Sequence, residues 1–168
     1  MEKVGIFYGS TTGNTEAVAK KIQQALGTDN AEVFDVSSAK AKDLEQFANL
    51  IFGTSTWGVG DIQDDFDSFL SEIKNANLEN KKVALFGCGD QDSYPDSFVD
   101  GMGQVWEALQ SKPCKLIGET EVNGYNYSAS RAEVNGKLVG LAIDEDNQSN
   151  LTDNRIKEWI QSLSDKLN

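Results

Sequence analysis

Short apolar runs alternate with stretches of helical period along this chain of 168 residues. Five runs have the length and composition of buried strands, namely Val4 to Tyr8, Glu32 to Val36, Leu50 to Gly53, Val83 to Gly87 and Lys115 to Ile117. Between and after them, apolar residues recur at helical spacing, as in Val18, Ile22, Ala25 and Leu26. Strands that alternate with helices predict an α/β fold, a five-stranded doubly wound parallel sheet with helices on both faces.

Two segments depart from this alternation. Between the second and third strands only Leu44 and Phe47 can be buried, which predicts a short crossover. The segment from Gly118 to Lys137 contains two Asn-Gly pairs, at Asn123 and at Asn135, and Asn-Gly is the strongest short-range signal for a hairpin. Because Leu138 to Ile143 is again strand-like, we expect a β insert at about 118–138 that splits the last strand of a single domain, residues 1–168.

Composition and charge narrow the possible functions. A net charge of −12 and a pI of about 4.3 argue against nucleic acid and anionic membrane surfaces, and favour partners with basic surfaces that bind less tightly as salt rises. No apolar run approaches the ~20 residues needed to span a bilayer, and no signal-peptide pattern is present, so we expect a cytoplasmic protein without membrane insertion.

Histidine is absent, so the sequence predicts neither a Ser/His/Asp triad nor a zinc site. Two cysteines, Cys88 and Cys114, are too few for a disulfide framework, and we interpret both as reduced thiols in the core. Trp106 and Trp159 fall at helical spacing within apolar stripes, so packing alone explains them and the core is their predicted location.

A loop rich in glycine and hydroxyl side chains follows the first strand. It comprises Gly9, Ser10, Thr11, Thr12, Gly13, Asn14 and Thr15. Glycine lets the chain fold closely around a ligand, and the N–H groups at the start of the next helix have no intrahelical acceptor, so such a loop can bind a phosphate. A nucleoside triphosphate loop would carry Lys where this chain has Asn14. A terminal monophosphate is therefore the better prediction.

The loops after the third and fourth strands should reach the same site, because parallel strands end at one edge of the sheet. The first of these loops includes Thr56, Trp57, Gly58, Val59 and Gly60, and the second includes Cys88, Gly89, Asp90 and Tyr94. Trp57 and Tyr94 lie in no apolar stripe, and two aromatic side chains that face one crevice can hold a flat ring between them by stacking. For either aromatic side chain considered alone, packing over the end of the core is a simpler explanation than ligand binding.

Four motifs in order resemble the flavodoxin family, in its long-chain branch, over essentially the whole chain. They are the phosphate loop from Ser10 to Thr15, Thr56-Trp57-Gly58, the segment from Gly87 to Tyr94, and the insert in the fifth strand. The resemblance implies a noncovalently bound FMN and a role as a low-potential carrier of single electrons, not an enzyme. It implies that the phosphate loop holds the phosphate, that Trp57 and Tyr94 flank the isoalloxazine, and that the backbone of the two later loops contacts its polar edge.

The resemblance also implies partners, namely a flavoprotein reductase as donor and a low-potential acceptor such as a photosystem, a nitrogenase or a radical enzyme. We expect the carrier to be a monomer. Acidic residues near the loops would disfavour a negatively charged reduced ring and would form a negative rim that steers basic partners. These residues are Asp61, Asp64, Asp65, Asp90, Asp92, Asp96, Asp144, Glu145 and Asp146. The carbonyl beside Gly58 could turn to accept a hydrogen bond from the one-electron-reduced ring.

Three alternatives belong to other functional classes. An FMN-dependent quinone reductase needs room beside the ring for its substrates, which stacking by both Trp57 and Tyr94 would fill. A phosphorelay receiver domain needs an acidic pair after the first strand, where this chain has Gly9 and Ser10. A flavin-free interaction module would leave the phosphate loop and the paired aromatics unexplained.

Overall fold

The computed structural model describes all 168 residues and contains a parallel sheet between two layers of helices. The strands are β1 Val4–Gly9, β2 Ala31–Asp35, β3 Asn49–Trp57, β4 Asp61–Ile62, β5 Lys82–Cys88, β6 Lys115–Leu116, β7 Thr120–Glu121, β8 Glu133–Val134, β9 Lys137–Leu138 and β10 Leu141–Ile143. The helices are α1 Asn14–Leu26, α2 Ala41–Glu45, α3 Asp64–Asn75, α4 Asp100–Leu109 and α5 Thr152–Ser164. The main sheet has the spatial order β10, β5, β3, β1 and β2, with β4 paired to β3 and β6 paired to β5.

The central strands are covered on both faces, as the near-continuous apolar runs predicted. All residues of β1 are buried, and β1 pairs in parallel with β2 on one side and β3 on the other, with Val4 opposite Ala31 and Asn49. β3 and β5 are also parallel. The predicted doubly wound sheet is therefore confirmed, and the loops that follow β1, β3 and β5 leave the sheet at the same edge.

Alternate residues of β1 enter two separate cores. Ile6 packs in a core with Ile22 of α1 and Trp159 of α5, whereas Phe7 packs in the other core with Phe69 of α3, their ring centroids 6.0 Å apart. Burying a side chain of this size stabilises the fold by about 1.5–3 kcal/mol. The predicted core position of Trp159 is confirmed, since only 2% of it is exposed.

The prediction that Trp106 is a core residue is wrong. Trp106 is half-buried on α4, where it packs against one core and also lines a groove of about 770 Å³ beside β6 and β9. β6, whose residues also line the groove, is only two residues long. Both cysteines are free thiols, and Cys88 is buried as predicted. The predicted core position of Cys114 is wrong, because Cys114 is only half-buried.

The helices differ in length as their sequence periodicity predicted. α1 and α5 have 13 residues each, whereas α2 has five and buries a single side chain, Leu44. No helix combines the length and the apolar character that crossing a bilayer would require.

The chain between β6 and β10 leaves the main sheet and forms a small sheet of its own. β6 and β10 both pair with β5, and between them β7, β9 and β8 make three antiparallel strands. Asn135 and Gly136, both with positive φ, form the hairpin turn between β8 and β9. The other hairpin prediction is wrong, because Asn123 and Gly124 turn the chain without joining paired strands. The Gly124 carbonyl instead accepts hydrogen bonds from Arg155 and from the Gln148 side chain.

Candidate functional site

The loop between β1 and α1 presents a helix N-terminus to the carboxyl edge of the sheet. Gly13, with φ 99°, immediately precedes α1, and its N–H donates to the Ser10 hydroxyl at 3.1 Å. Ala17 is the first helical residue whose N–H reaches a backbone acceptor, the Gly13 carbonyl at 3.0 Å. The N–H groups of residues 14–16 therefore have no intrahelical acceptor, and together with the helix dipole they favour an anion.

The loop after β3 is a tight hairpin that carries Trp57. β3 pairs with the short strand β4, and Trp57 lies opposite Asp61. Gly58 and Gly60 supply the positive φ values, 51° and 95°, that the turn requires. Trp57 is 40% exposed beside this turn. The sequence predicted a loop here, and the hairpin was not predicted.

The loop after β5 is organised around Asp90 and carries Tyr94, which is 42% exposed. The Asp90 carboxylate accepts hydrogen bonds from the N–H groups of Asp92 at 3.2 Å and Ser93 at 3.0 Å, and from Asn147 Nδ2 at 2.8 Å. The Asp90 carbonyl accepts from the Tyr94 N–H at 3.0 Å. Burial alone would raise the pKa of Asp90, but the hydrogen bonds from Ser93 and Asn147 lower it below its usual value.

The three loops converge, as predicted, on one cavity of about 270 Å³, which is close to the lower end of the usual range for small-molecule sites, about 300 Å³. The predicted site residues that line it are Ser10, Thr11, Thr12, Asn14, Thr15, Thr56, Trp57, Gly58, Cys88, Gly89, Asp90 and Tyr94. The cavity thus joins the phosphate loop to both exposed aromatics.

Three of the predicted site residues do not line this cavity. Gly13 serves as the backbone cap of α1. Val59 is at the tip of the hairpin with 86% of its surface exposed. Gly60 is turned toward α4, where its carbonyl accepts from Gln104 Nε2 at 2.8 Å.

Two hydroxyl groups in the cavity wall are buried without a hydrogen-bond partner. They belong to Thr15 on α1, 1% exposed, and to Ser55 near the end of β3, 9% exposed. Buried polar groups are almost always paired in native proteins, so an orphaned pair at one cavity points to a polar ligand group. The residues present therefore fit a ligand with a phosphate at one end and a flat ring at the other.

The electrostatic character of the cavity is acidic. No Lys or Arg lines it, whereas Asp90, Glu145 and Asp146 do. Burial, reinforced by the neighbouring carboxylates of Asp90, Asp144 and Glu145, raises the pKa of Asp146. A phosphate here would be held by hydroxyl and N–H groups and by the helix dipole, without a cation.

The predicted place of Asp144 in an exposed rim is wrong, because Asp144 is completely buried. Its carboxylate accepts from the N–H and Nε2 of Gln91, at 3.1 and 2.8 Å, and from the N–H and Nδ2 of Asn147. Four hydrogen bonds of this kind can replace the lost hydration of the carboxylate, which explains why it is buried without an ion pair. The other acids of the rim are exposed or half-buried, as predicted.

Two residues of the site, Gln63 and Ser55, were not predicted from the sequence. Gln63 is 1% exposed; its Oε1 accepts from the Phe66 N–H at the start of α3, and its Nε2 donates to the Thr11 hydroxyl at 3.3 Å, so it ties the phosphate loop to α3. Ser55 lies in the segment predicted to follow the third strand, but it was not among the predicted site residues. Its signal was a run of three hydroxyl residues, Thr54 to Thr56, at the end of an otherwise apolar strand.

Cys88 lies at the floor of the cavity and is buried. Burial raises the pKa of its thiol to about 12. The thiol is therefore protonated at neutral pH and is unsuited to act as a nucleophile.

Comparison with known proteins agrees with this geometry. The family model described as Flavodoxin matches residues 6–159. The chain is 44% identical to the flavodoxin of Buchnera aphidicola subsp. Acyrthosiphon pisum over 164 residues, which cover 97% of this chain and 96% of that one. It is 45% identical to the flavodoxin of Trichodesmium erythraeum over 165 residues, 97% of this chain and 96% of that one. The chain belongs to the flavodoxin family.

A solved flavodoxin structure is similar over the full length of the fold. The Fusobacterium nucleatum flavodoxin, whose crystal structure contains bound flavin mononucleotide, superimposes with a TM-score of 0.94 at 33% identity, covering 100% of both chains. The flavodoxin fold predicted from the sequence is thereby confirmed.

Proposed function

We propose that this flavodoxin-family chain binds FMN noncovalently and carries single electrons between redox proteins at low potential, without being an enzyme. The observation that carries the proposal is the junction, in one cavity, of a phosphate loop without a cation and two half-exposed aromatic side chains. The FMN bound to a solved relative with a TM-score of 0.94 supports the same ligand.

The phosphate of FMN would lie at the N-terminus of α1. The hydroxyls and amide of the loop would hold it, together with the free N–H groups of the first helical turn. The residues concerned are Ser10, Thr11, Thr12, Gly13, Asn14 and Thr15, with Gly13 contributing through the backbone conformation it allows. Because none of these groups is cationic, specificity for a monophosphate would come from hydrogen-bond geometry.

The isoalloxazine ring would lie between Trp57 and Tyr94, whose partial exposure leaves stacking surface available. The backbone of Thr56 to Gly60 and of Cys88 to Asp90 would face its polar edge. Bound FMN supplies a ring that can accept and release electrons one at a time.

Two features of the chain would set how readily that ring is reduced. The acids Asp90, Glu145 and Asp146 in the cavity wall make further negative charge there unfavourable, which favours a low potential for full reduction. The peptide beside Gly58 would reorient more readily than one beside another residue, because glycine adopts conformations closed to other residues, and no atom lies within 4 Å of the place a Cβ would occupy. Its carbonyl could then accept a hydrogen bond from a protonated ring nitrogen.

The insert and the net charge bear on the branch of the family and on the partners. The β segment between β6 and β10 supports placement in the long-chain branch, as one domain of residues 1–168 with the insert at about 118–138. The net charge of −12 supports partners with basic surfaces, a flavoprotein reductase as donor and a low-potential acceptor, which would meet a monomeric carrier in the cytoplasm.

Titration of the purified apoprotein with FMN and with riboflavin tests the binding part of the proposal. Quenching of flavin fluorescence on binding reports stacking, and a much higher affinity for FMN than for riboflavin reports the phosphate contacts. Failure to bind either flavin would overturn the proposal.

A further inference from the structure

The insert between β6 and β10 holds the tyrosine loop, residues 89–95, on both sides of Tyr94. On one side, the Gln91 side-chain carbonyl accepts a hydrogen bond from the Asn126 N–H. On the other side, the Pro95 carbonyl accepts from the N–H groups of Ser128 at 2.7 Å and Ala129 at 3.0 Å. The segment of the insert from 126 to 129 therefore fixes the two ends of the short stretch that carries Tyr94.

Gln91 is the central member of this connection. It is 2% exposed, and while its Oε1 accepts from the insert, its Nε2 donates to the buried carboxylate of Asp144 at 2.8 Å. Asp144 in turn accepts from Asn147, and Asn147 Nδ2 also donates to Asp90 at 2.8 Å. A continuous set of hydrogen bonds thus runs from Asn126 to Asp90, the residue around which the tyrosine loop folds.

The insert itself is anchored independently of Gln91. The Tyr125 hydroxyl donates to the Ala142 carbonyl of β10 at 2.6 Å, and Arg155 lies over the Tyr125 ring at 4.1 Å from its centroid. Tyr127 stacks on Phe98, with 5.3 Å between ring centroids. The Gln91 amide therefore contacts a fixed support on the insert side and a fixed carboxylate on the β10 side.

We propose that Gln91 is a positioning residue that, held between Asp144 and the insert at Asn126, sets the Tyr94 ring against the bound flavin. The inference rests on the proposed FMN site. It assigns the insert a role in binding the ring of the flavin, at a distance from the phosphate loop. A buried amide that is hydrogen-bonded on both sides is suited to this role. Its removal leaves the Asn126 N–H without its acceptor and takes one of the four donors from the buried Asp144 carboxylate.

Gln91→Ala tests the assignment, with flavin titrations of the apoprotein as the measurement. We expect the affinities for FMN and for riboflavin to fall by the same factor, on the order of tenfold, since about 1.4 kcal/mol corresponds to one lost hydrogen bond of this kind. The bound flavin should also fluoresce more strongly, because Tyr94 would stack less closely. Tyr127→Phe is the matched control: it removes the hydroxyl contact to Glu133 within the insert and leaves the contacts of Gln91 in place, so both affinities should stay at the parent values.

Two results would overturn the inference while leaving FMN binding by the parent chain intact. One is parent affinity and parent fluorescence for Gln91→Ala with both flavins. The other is a loss confined to FMN, which would place the effect at the phosphate. Absence of FMN binding by the parent chain would instead contradict the proposed function itself.

If Gln91→Ala fails to fold, Gln91→Glu tests whether Gln91 positions Tyr94. The introduced carboxylate would face Asp144, the titratable group to which the Gln91 side chain is hydrogen-bonded, and two like charges there disfavour the native loop. Protonation of the new group restores a donor toward Asp144 and an acceptor toward Asn126. Riboflavin affinity that is weak at neutral pH and recovers as the pH falls supports the inference, whereas affinity that follows the parent at every pH contradicts it.

Discussion

Ser55 on β3 and Cys88 on β5 are register partners in the parallel sheet, so their side chains lie next to each other on the same face, at the floor of the cavity. This is the face covered by α1, because Cys88 packs in the same core as Val18 and Ile22. Thr15 of α1 completes the floor. The hydroxyls of Ser55 and Thr15 have no partner within the chain, although both are buried.

Ser55→Ala should weaken FMN binding and leave the apoprotein as stable as before. The hydroxyl makes no hydrogen bond in the chain, so its removal costs the fold little, but a lost hydrogen bond to a charged group costs about 1.5 kcal/mol, roughly tenfold in affinity. Flavin titration and thermal unfolding measure the two quantities. Ser71→Ala, on the exposed side of α3, is the control and should change neither. An unchanged FMN affinity for Ser55→Ala would remove Ser55 from the site.

Gly13→Ala should lower both the stability and the preference for FMN over riboflavin. Gly13 has φ 99° and open space where a Cβ would be, so the cost is conformational, roughly 1–2 kcal/mol. Distortion of the loop should reduce FMN affinity more than riboflavin affinity. Gly136→Ala provides a matched comparison, since Gly136 also has positive φ and open space but lies in the hairpin of the insert. It should lose similar stability in denaturant unfolding and keep the parent ratio of the two affinities.

Asp146→Asn should stabilise the apoprotein at neutral pH and strengthen FMN binding. Burial and neighbouring carboxylates raise the pKa of Asp146 in the folded state, so the folded chain binds more protons than the unfolded chain. The contribution of Asp146 to stability is therefore unfavourable at neutral pH and improves as the pH falls through the raised folded pKa toward the unfolded value. The asparagine variant should lose this part of the pH dependence. Asp29 is an exposed acid that precedes β2 at the opposite edge of the sheet, so Asp29→Asn should keep the pH dependence of stability of the parent chain. Equal pH profiles of stability for the parent chain and Asp146→Asn would contradict the raised pKa of Asp146.

Local sequence patterns were sufficient to predict the secondary structure around the phosphate loop. The apolar run of β1, the glycine and hydroxyl loop, and the stripe of Val18 and Ile22 are neighbours in the chain, so they predicted the strand, the loop and α1 together. The convergence of Trp57 and Tyr94 followed from the parallel sheet alone.

The burial of some side chains depends on contacts between distant parts of the chain and could not be predicted from the sequence. Asp144 is followed by Glu145 and Asp146, and its hydrogen bonds from Gln91, more than fifty residues away, help to distinguish it as the buried member of that acidic run. Helical spacing predicts which face of α4 is apolar and so placed Trp106 in the core, but it does not predict how completely the rest of the chain covers each residue of that face.

Replacement of Gly58 should reduce the amount of one-electron-reduced flavin that accumulates during reduction. Gly58→Val would hinder the peptide from turning, because a β-branched residue is strongly disfavoured at positive φ, and the hydrogen bond to the ring nitrogen would be lost. Visible absorption during stepwise reduction measures the fraction of flavin that is in the one-electron-reduced form. Val59→Ala, at the exposed tip of the same hairpin, should behave like the parent chain. An unchanged fraction in Gly58→Val would exclude this peptide from the mechanism.

An anaerobic dithionite titration of the FMN-loaded protein, followed by visible absorption, tests the role of single-electron carrier most directly. The acidic cavity wall and the proposed reorientation of the peptide at Gly58 predict two separated steps, with a long-wavelength band of the neutral one-electron-reduced flavin that grows before the spectrum bleaches. Bleaching in a single two-electron step, with no long-wavelength band at any point, would contradict that role and would favour a two-electron FMN reductase.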